Sequence, residues 1–238
     1  MMVFNIITLF PNMFDGAFGT SILHRARQNG IIDIRIKDLR AFGLGVHRVV
    51  DDAPYGGGGG MVLMPEPIAL ALKDIEKGPG HVILTTPKGR VLAHSDVLRL
   101  SKKDVITIIC GHYEGVDERV RGLFVDEEIS IGDYVLTGGE IPAMVIVDAT
   151  SRLIPHVLGR DTFSTGDSHY NGLLEYPQYT RPKEFMGKSV PDVLLSGNHE
   201  QIRLWRRKMS LKKTKETRPD LFKMLTLSKT DRDLLEEE

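Results

Sequence analysis

The sequence is nearly free of cysteine, and what it lacks excludes several classes of protein. The chain has 238 residues and one cysteine, Cys110, which excludes both a disulfide framework and a zinc site built from cysteines. No apolar run is long enough to cross a bilayer. The first residues, MMVFNIITLFPNM, carry no basic charge before an apolar run that Pro11 cuts short. They predict a core strand and not a signal peptide, so a soluble cytoplasmic protein is expected.

The sequence also lacks an excess of charge of either sign. With 31 Lys and Arg against 32 Asp and Glu, its formal net charge is −1, so the total gives no argument for a nucleic-acid partner. The charge is uneven along the chain, because the segment 202–218 is rich in Lys and Arg and holds one acidic residue, Glu216. A basic helix that contains a tryptophan, here Trp205, indicates a surface facing nucleic acid. On composition alone, a solvated basic helix is an equally good interpretation.

The run of five glycines from Gly56 to Gly60 is not followed by the lysine of a phosphate-binding loop. No stretch fits G-x-x-x-x-G-K-[ST], and none fits G-x-G-x-x-G after the first strand, so phosphate binding is poorly supported. Glycines recur in three later loops, within TTPKGR, CGHYEGVDER and IGDYVLTGGE. A single loop glycine is more often a plain turn former. Three such loops at successive strand ends predict a pocket lined by backbone, which suits an adenine and ribose better than a triphosphate.

Short apolar runs alternate with helix-like segments up to about residue 160. Continuous β-branched runs at 81–86 and 104–110 are typical of parallel strands buried on both faces. This alternation predicts an α/β domain with a mostly parallel sheet. The polar segment 160–172 that follows is typical of a flexible linker or lid. Further strands are expected at 3–9, 32–37 and 127–136, and helices at 14–29, 65–77, 94–103, 114–124 and 141–159.

Several long motifs resemble one family. They are LFPNMF, VDDAPYGGGGGM, CGHYEGVDERV, the stretch 130–159, GLLEYPQYTRP and LLSGNHEQIRLWR. In this order and at this spacing they are similar to the bacterial tRNA (guanine-N1)-methyltransferases, often called TrmD, of the SPOUT superfamily. The resemblance implies a knotted parallel sheet domain of α/β class, with a trefoil knot, and a small C-terminal helical domain. The expected domains are a methyltransferase domain at 1–160, a flexible linker or lid at 161–176 and a tRNA-binding domain at 177–238.

The resemblance also implies a methyl donor, S-adenosylmethionine, and the loops that hold it. Backbone amides would read the adenine edge while Ile131 and Leu136 cover its faces, and plain core packing is compatible with that role. The carboxylate of Glu114 would meet the positive sulfonium side of the donor. The residues expected to bind the donor are Thr85, Thr86, Pro87, Gly111, Glu114, Ile131, Gly132, Asp133, Tyr134, Val135, Leu136, Gly138, Gly139 and Pro142.

The implied reaction is methyl transfer to N1 of the guanosine immediately 3′ of the anticodon in tRNA. N1 must lose its proton, so the reaction needs a base and a group that stabilises charge on O6. By resemblance, the motif Asp167-Ser168-His169 supplies the base, Asp167, and Arg152 stabilises O6 or holds the base in register. The family usually has Phe where this chain has His169, which can share the titration. Without the resemblance, Asp167 would be a solvated carboxylate and Arg152 a salt-bridge residue.

The tRNA is expected to meet two further sets of residues. The Asp-Asp and glycine loop would lie beside the donor and the incoming guanine, although Asp51 is an equally good turn former. Asn198 and His199 would cap or open the helix that carries Trp205, Arg206 and Arg207. Basic side chains of this helix would meet phosphates of the anticodon stem-loop. The resemblance also implies an antiparallel homodimer in which the linker and tail of one subunit complete the other's active site. The residues expected to bind the substrate are Asp51, Gly60, Asn198, His199, Arg203 and Arg206.

Other functions stay open from the sequence. A knotted RNA methyltransferase with a different acceptor, or a non-catalytic RNA-binding protein of the same fold, would share most of these features. The Asp167 motif and the basic tail favour the guanine-N1 methyltransferase over another acceptor. The intact donor loops and Asp167 argue against a non-catalytic protein, and a phosphate-binding nucleotidase would need the lysine that is missing after Gly60. The sequence holds no ligand cluster for a structural metal, and it leaves room for magnesium bound loosely at the tRNA or at carboxylates. No membrane partner is expected.

Overall fold

The computed structural model describes residues 1–76, 78–159 and 167–236. The chain forms two compact units, Met1–Phe163 and Ser164–Glu238. The strands of the first unit are β1 (Met2–Thr8), β2 (Ile32–Asp38), β3 (Asp51–Asp52), β4 (Val62–Leu63), β5 (His81–Val91), β6 (Val105–Cys110) and β7 (Glu127–Ser130). Its helices are α1 (Asp15–Phe18), α2 (Ser21–Gln28), α3 (Pro65–Lys73), α4 (His94–Leu100), α5 (Glu118–Phe124) and α6 (Glu140–Arg152), with 3-10 turns at Pro11–Phe14 and Leu39–Phe42.

Five strands of the first unit form one parallel sheet in the order β2–β1–β6–β5–β7, which confirms the predicted α/β class. Successive residues of a strand face opposite sides of a sheet. Ile6 and Ile108 accordingly pack into one apolar cluster with α2 and α6, while Ile7 and Ile109 pack into another with α3 and α5. Both faces are covered by helices, which explains why the central strands are continuous apolar runs in the sequence.

Several helices are shorter than their apolar pattern predicts. The helix expected at 14–29 is broken into α1 and α2, because Gly19 closes a turn after α1 and Ser21 has a φ of 55°. The helix expected at 141–159 ends at Arg152, shortly before Pro155, whose missing N–H could not continue it. Helices α3, α4 and α5 are each about one turn shorter than expected. The last residue expected in α3, Lys77, lies outside the described residues.

Two strands depart from prediction at the carboxyl edge of the sheet. The strand expected at 127–136 ends at Ser130, and the apolar residues after it leave the sheet. Strand β5 runs on to Val91, but its pairing with β7 shifts between Thr85 and Arg90. In both strands, residues that could have continued the sheet pairing instead form loops at the carboxyl edge. These loops line a cavity.

The second unit is organised around a long helix. It contains β8 (Glu184–Phe185), β9 (Lys188–Ser189), a 3-10 turn at Asp192–Leu195, α7 (His199–Thr217), α8 (Pro219–Lys223) and α9 (Lys229–Glu236). Asn198 caps α7 by accepting a hydrogen bond from the Gln201 amide at 3.2 Å, as predicted. Leu211 of α7 and Leu234 of α9 are buried in this unit. Among the helices that the structure describes, none is both long and apolar enough to cross a bilayer.

The end of the predicted linker is held against α7. The Leu174 amide donates a hydrogen bond of 2.8 Å to the Thr214 hydroxyl, and the Glu175 amide donates one of 2.9 Å to the Ser168 hydroxyl. These bonds tie the chain from Ser168 onward to the second unit. The beginning of the predicted linker, 160–166, lies outside the described residues.

Candidate functional site

A cavity of about 280 Å³ lies in the first unit, at the carboxyl ends of the neighbouring strands β6, β5 and β7. Ligands of open α/β sheets bind at this edge, because the loops that leave parallel strands meet there. The loops that line the cavity begin after Thr85, Cys110 and Ser130. They are the three loops that the sequence singles out by their glycines. We call this space the donor cavity.

The structure brings most of the predicted donor-binding residues together around the donor cavity. Gly132 and Asp133, both within the described residues, lie beside lining residues but do not line the cavity themselves. The binding role of every residue in the set stays a prediction. The predicted residues that line the cavity are Thr85, Thr86, Pro87, Gly111, Glu114, Ile131, Tyr134, Val135, Leu136, Gly138, Gly139 and Pro142.

Gly139 is required for the close approach of the three loops. A Cβ there would collide with the Thr85 hydroxyl and would lie 2.7 Å from the Gly111 nitrogen and 2.8 Å from the Cys110 Cα. The Gly139 amide donates a hydrogen bond of 2.8 Å to the Gly111 carbonyl, and the Thr85 hydroxyl donates one of 3.1 Å to the carbonyl of Ile109. The loops are therefore bonded to one another by backbone, and a side chain at 139 would force them apart.

The lining also carries charges that sequence motifs did not single out. Glu118 and Arg121 come from α5, and Glu128 comes from β7. Arg121 and Glu128 form an ion pair of 2.7 Å, and this hydrogen bond raises the pKa of Arg121. Only the fold places α5 beside the end of β7, so no local pattern could have shown the pair. Among residues 1–76, 78–159 and 167–236, no group of three or more His, Cys, Asp or Glu is placed to hold a metal ion.

His112 and Glu140 were also missed, and they form a polar floor beside the cavity. A Cβ on Gly138 would collide with the Glu140 carboxylate and lie 2.7 Å from Cδ2 of His112. Glu140 is 2% exposed and accepts a hydrogen bond of 2.8 Å from the Thr8 hydroxyl. Nδ1 of His112 is buried and has no hydrogen-bond partner in the described part of the chain. The glycine at 138 therefore leaves space for two polar side chains at one loop.

Cys110 ends β6 at the edge of this site without being a nucleophile. Its side chain is 2% exposed. Burial, with Glu140 as a further cause, raises the pKa of the Cys110 thiol well above its usual range. The thiolate is the reactive form of cysteine, so this residue contributes packing and not covalent chemistry.

The five-glycine run lies against the loop that carries Glu114. Gly60 has a φ of 82°, and a Cβ there would collide with the Glu114 carboxylate. The Glu114 amide donates a hydrogen bond of 3.0 Å to the Met61 carbonyl, and the Leu63 amide donates one of 3.0 Å to the Gly115 carbonyl. The end of the run is therefore anchored on the donor cavity, and its lack of side chains serves close approach.

Asp51 lies at the base of this glycine loop. It pairs with Leu63 in the short antiparallel ladder between β3 and β4. The carbonyl of Leu63 accepts a hydrogen bond of 3.0 Å from the amide of Asp117, in the loop after β6. The ladder thus places Asp51 on the element that also carries Gly60, as the substrate prediction requires. Contact of either residue with substrate stays a prediction.

The two predicted catalytic residues belong to different units. Arg152 is the last residue of α6 and its side chain is exposed. Asp167 is half-buried in the second unit, where its carbonyl accepts a hydrogen bond of 3.3 Å from the Tyr170 amide. His169 continues this turn with a φ of 74°. The motif is therefore presented by a hydrogen-bonded turn, and its catalytic role stays a prediction.

The basic helix α7 begins with the predicted substrate residues His199 and Arg203, both exposed. Arg203 forms an exposed ion pair of 2.7 Å with Glu200. Arg207 forms an ion pair of 2.7 Å with Asp231 of α9, whose carboxylate is 6% exposed. The sequence hypothesis that Arg207 also meets phosphate is therefore weakened, because its charge is used inside the unit. Arg206 lies over the ring of Tyr176, with 4.9 Å from Cζ to the ring centroid.

Fold and cavity define an α/β protein with a parallel sheet and a cavity formed by loops at its carboxyl edge. Comparison with known proteins gives the family. The profile of the family described as tRNA (Guanine-1)-methyltransferase TrmD matches residues 2–224. The chain is 55% identical over 238 residues to the tRNA (guanine-N(1)-)-methyltransferase of Geotalea uraniireducens, covering 99% of this chain and 96% of that protein. Proteins of the same name from Dictyoglomus turgidum and Geobacter sulfurreducens are 54% and 53% identical, over 100% and 98% of this chain and 96% of each relative. The chain belongs to this methyltransferase family.

Proposed function

We propose that this chain transfers a methyl group from S-adenosylmethionine to N1 of the guanosine immediately 3′ of the anticodon in tRNA. The observation that carries the proposal is the donor cavity, which gathers most of the residues predicted to bind the donor at the carboxyl edge of β6, β5 and β7. The similarity extends over nearly the whole chain, including the second unit. A methyltransferase with both a donor site and a basic helical unit has the parts that a tRNA substrate requires.

The chemistry of the lining fits this donor. Ile131 and Leu136 offer apolar surfaces to an adenine, and the backbone between them offers amide and carbonyl groups to its edge. Glu114 offers negative charge to a sulfonium or an amino group. The missing side chain at Gly139 lets the loops that line the cavity approach one another closely. When bound, the donor supplies an already activated methyl group, so the chain needs no covalent intermediate.

In this proposal Asp167 takes the proton from N1 of guanine. A carboxylate can serve as a general base when it lies within hydrogen-bond reach of the proton it removes. The bond from the Glu175 amide to the Ser168 hydroxyl steadies the turn that carries Asp167. Arg152 stabilises the negative charge that grows on O6 by donating hydrogen bonds to it. The chain thus removes a proton at one atom and neutralises charge at its neighbour.

The proposed fold is of the SPOUT type, with a trefoil knot in the sheet domain. Its domains are the methyltransferase domain at 1–160, the linker at 161–176 and the tRNA-binding domain at 177–238. Two subunits pack antiparallel, and the linker and tail of one complete the active site of the other, beside its donor cavity. What supports this arrangement is family membership, together with the fact that Arg152 and Asp167 belong to different compact units.

The experiment that tests the function is methylation of unmodified tRNA transcripts with labelled donor, followed by mapping of the modified nucleoside. Label in N1-methylguanosine immediately 3′ of the anticodon is the expected result. Label in another base or in a ribose would support a different acceptor. No label, from a folded sample that binds the donor in calorimetry, would contradict an enzymatic role. Donor binding without tRNA is expected, because the donor cavity lies wholly in the first unit.

A further inference from the structure

The second unit contains a cavity of its own, formed between the segment 176–183 and the start of α7. Its volume is about 460 Å³, within the range of about 300–1,000 Å³ that small-ligand sites usually have. We call it the aromatic cavity. The residues that line it are Tyr176, Pro177, Gln178, Tyr179, Thr180, Arg181, Lys183, Val190, Leu194, Leu195, Ile202, Trp205 and Arg206.

Three aromatic rings line the aromatic cavity and keep part of their surface open. The rings of Tyr179 and Trp205 have centroids 6.3 Å apart and planes inclined at 55°. Tyr179 is 48% exposed, so a flat group can reach its face. Arg206 covers the ring of Tyr176. Aromatic faces beside cations are the elements from which sites for single-stranded nucleic acid are built, because every base can stack on them.

The cations of the aromatic cavity differ from their neighbours in how they are paired. Arg203 and Arg207 of α7 are bound to Glu200 and Asp231. The cavity itself is lined by Arg181, Lys183 and Arg206. In the part of the chain that the structure describes, these three make no ion pair, and no acidic residue lines the cavity with them. An anion that entered would meet positive charge that no carboxylate already neutralises.

We propose that the aromatic cavity binds one unstacked nucleotide of the RNA substrate. Its base stacks on the rings of Tyr179 and Trp205, and its phosphate lies beside Arg206. An apolar peptide would bury the same cations without a counter-charge, which is costly, whereas a nucleotide brings the aromatic face and the anion together. The choice of tRNA as the RNA rests on the proposed function. Because stacking tolerates any base, the site anchors the substrate loop with little sequence preference.

The test uses the only tryptophan of the chain, Trp205, as a local probe. A synthetic RNA stem-loop with the anticodon-loop sequence of a tRNA substrate is titrated into the full-length protein. Stacking should quench Trp205 emission. Tyr179→Ala should weaken RNA binding by about 5- to 150-fold, the range expected for one stacked base, and Tyr179→Phe should restore it. Arg218→Gln is the matched control for Arg206→Gln, because Arg218 is paired with Asp220 outside the cavity.

An abasic nucleotide placed in turn at each loop position identifies the bound base. At one position it should weaken binding as Tyr179→Ala does, and the two changes together should weaken it no further. Unchanged RNA affinity in Tyr179→Ala, or additive losses at every position, would overturn the proposal. A third outcome would also overturn it. If Trp205 emission changes on dilution without RNA, and Tyr179→Ala alters self-association, a second copy of the chain occupies the cavity.

The methylation assay separates failure of this proposal from failure of the proposed function. Wild-type protein that forms N1-methylguanosine while Tyr179→Ala binds RNA normally would refute the aromatic cavity as a nucleotide site and leave the reaction intact. The opposite result is also informative. If RNA quenches Trp205 emission and Tyr179→Ala weakens RNA binding, but the wild-type protein methylates no transcript, the nucleotide site stands and the proposed reaction is refuted.

Discussion

The two cavities of this protein are built from different parts of the chain. The donor cavity depends on missing side chains, because a Cβ at Gly138, Gly139 or Gly60 would collide with atoms of the neighbouring loops. The aromatic cavity depends on the side chains themselves, Tyr179 and Trp205 above all. Adding one carbon should therefore damage the first cavity, whereas removing a ring should damage the second. A site made of backbone also fixes its ligand closely, while a site of exposed rings tolerates different bases.

The two units also differ in how their charges are used. In the first unit, arginines are paired with carboxylates along the sheet edge, as in Arg90 with Asp96 and Arg99 with Glu127. In the second unit, Arg207 is paired within the unit while Arg206 faces a cavity. The near-neutral total charge of the chain hides this division, because an excess of Asp and Glu in the first unit offsets an excess of Lys and Arg in the second. Salt should therefore affect RNA binding far more than donor binding.

The largest effect is expected from Asp167→Ala. Proton removal by a general base contributes roughly 10²- to 10⁴-fold in typical enzymes, so single-turnover methylation should fall by about that factor. Donor binding measured by calorimetry should persist, because the donor cavity lies in the other unit. Asp220→Ala serves as the control, since this exposed carboxylate of the same unit is paired with Arg218. Loss of donor binding in Asp167→Ala would argue against the separation of the two roles.

A mixed dimer tests whether each donor cavity is completed by the partner subunit. An Asp167→Ala chain is paired with a Gly139→Trp chain, each inactive as its own homodimer. If Asp167 serves the partner's cavity, one site carries both lesions and the other neither, so about half of the wild-type activity should return. Sites made from a single chain would each carry one lesion, and mixing would restore nothing. The same experiment with Arg152→Ala in place of Asp167→Ala shows whether Arg152 serves the cavity of its own chain or that of the partner.

Gly139→Ala tests how far the donor cavity depends on a missing side chain. The added methyl group would press on Thr85, Gly111 and Cys110, and overpacking of this kind typically costs about 1–3 kcal/mol. Donor affinity should fall by about 5- to 150-fold. Gly122→Ala is the matched control, because this glycine lies inside α5 with no atom near its Cβ position. Equal donor affinity in the two variants would contradict the close-approach argument.

The stability of the second unit should depend on pH through Asp231. Its hydrogen bonds with Arg207 lower the pKa of Asp231 from 3.8 to about 2. Because the folded pKa is the lower one, the pair stabilises the fold fully above about pH 4 and loses this effect as the pH falls towards 2, in total about 2 kcal/mol. Urea unfolding followed by Trp205 emission should show about half of this loss in wild type between pH 7 and pH 3, because pH 3 lies between the two pKa values.

The matching variants separate a buried pair from an exposed one. Asp231→Asn should destabilise the unit at pH 7 and reduce the change between pH 7 and pH 3. Asp220→Asn should change the unfolding midpoint little, because its pair with Arg218 is exposed to solvent. If both variants changed the unfolding midpoint equally, burial of Asp231 would not explain the contribution of its ion pair to stability.

The smallest effect is expected in the salt dependence of RNA binding. Arg206→Gln should lower the slope of log affinity against log salt by about 1, the value for one lost phosphate contact. Arg218→Gln should leave the slope nearly unchanged, since its charge is already paired with Asp220. Donor binding should show little salt dependence in both variants. Equal slopes for Arg206→Gln and wild type would remove Arg206 from the phosphate-binding surface.

Much of the first unit could be predicted from sequence, because its signals are local. The β-branched runs at 81–86 and 104–110 predict buried parallel strands, and the sheet contains them as β5 and β6. Glycines at strand ends predict a backbone-lined pocket, and the donor cavity lies there. Element ends were less predictable. The apolar residues after Ser130 continue the pattern of a strand, yet they leave the sheet to line the cavity.

The sequence alone determined the class of fold, the family and the loops that surround the donor cavity, because these depend on residue patterns and motifs within short stretches. Only the tertiary structure decided which arginines are ion-paired within the chain and which can meet the anion of a ligand. Arg206 and Arg207 are adjacent and chemically identical, but within the described ranges only Arg207 meets a carboxylate, contributed by α9 24 residues later. The aromatic cavity has the same origin, since Tyr179 and Trp205 come together only when α7 packs against the segment before it. Such pairings arise from long-range packing, which no local pattern encodes.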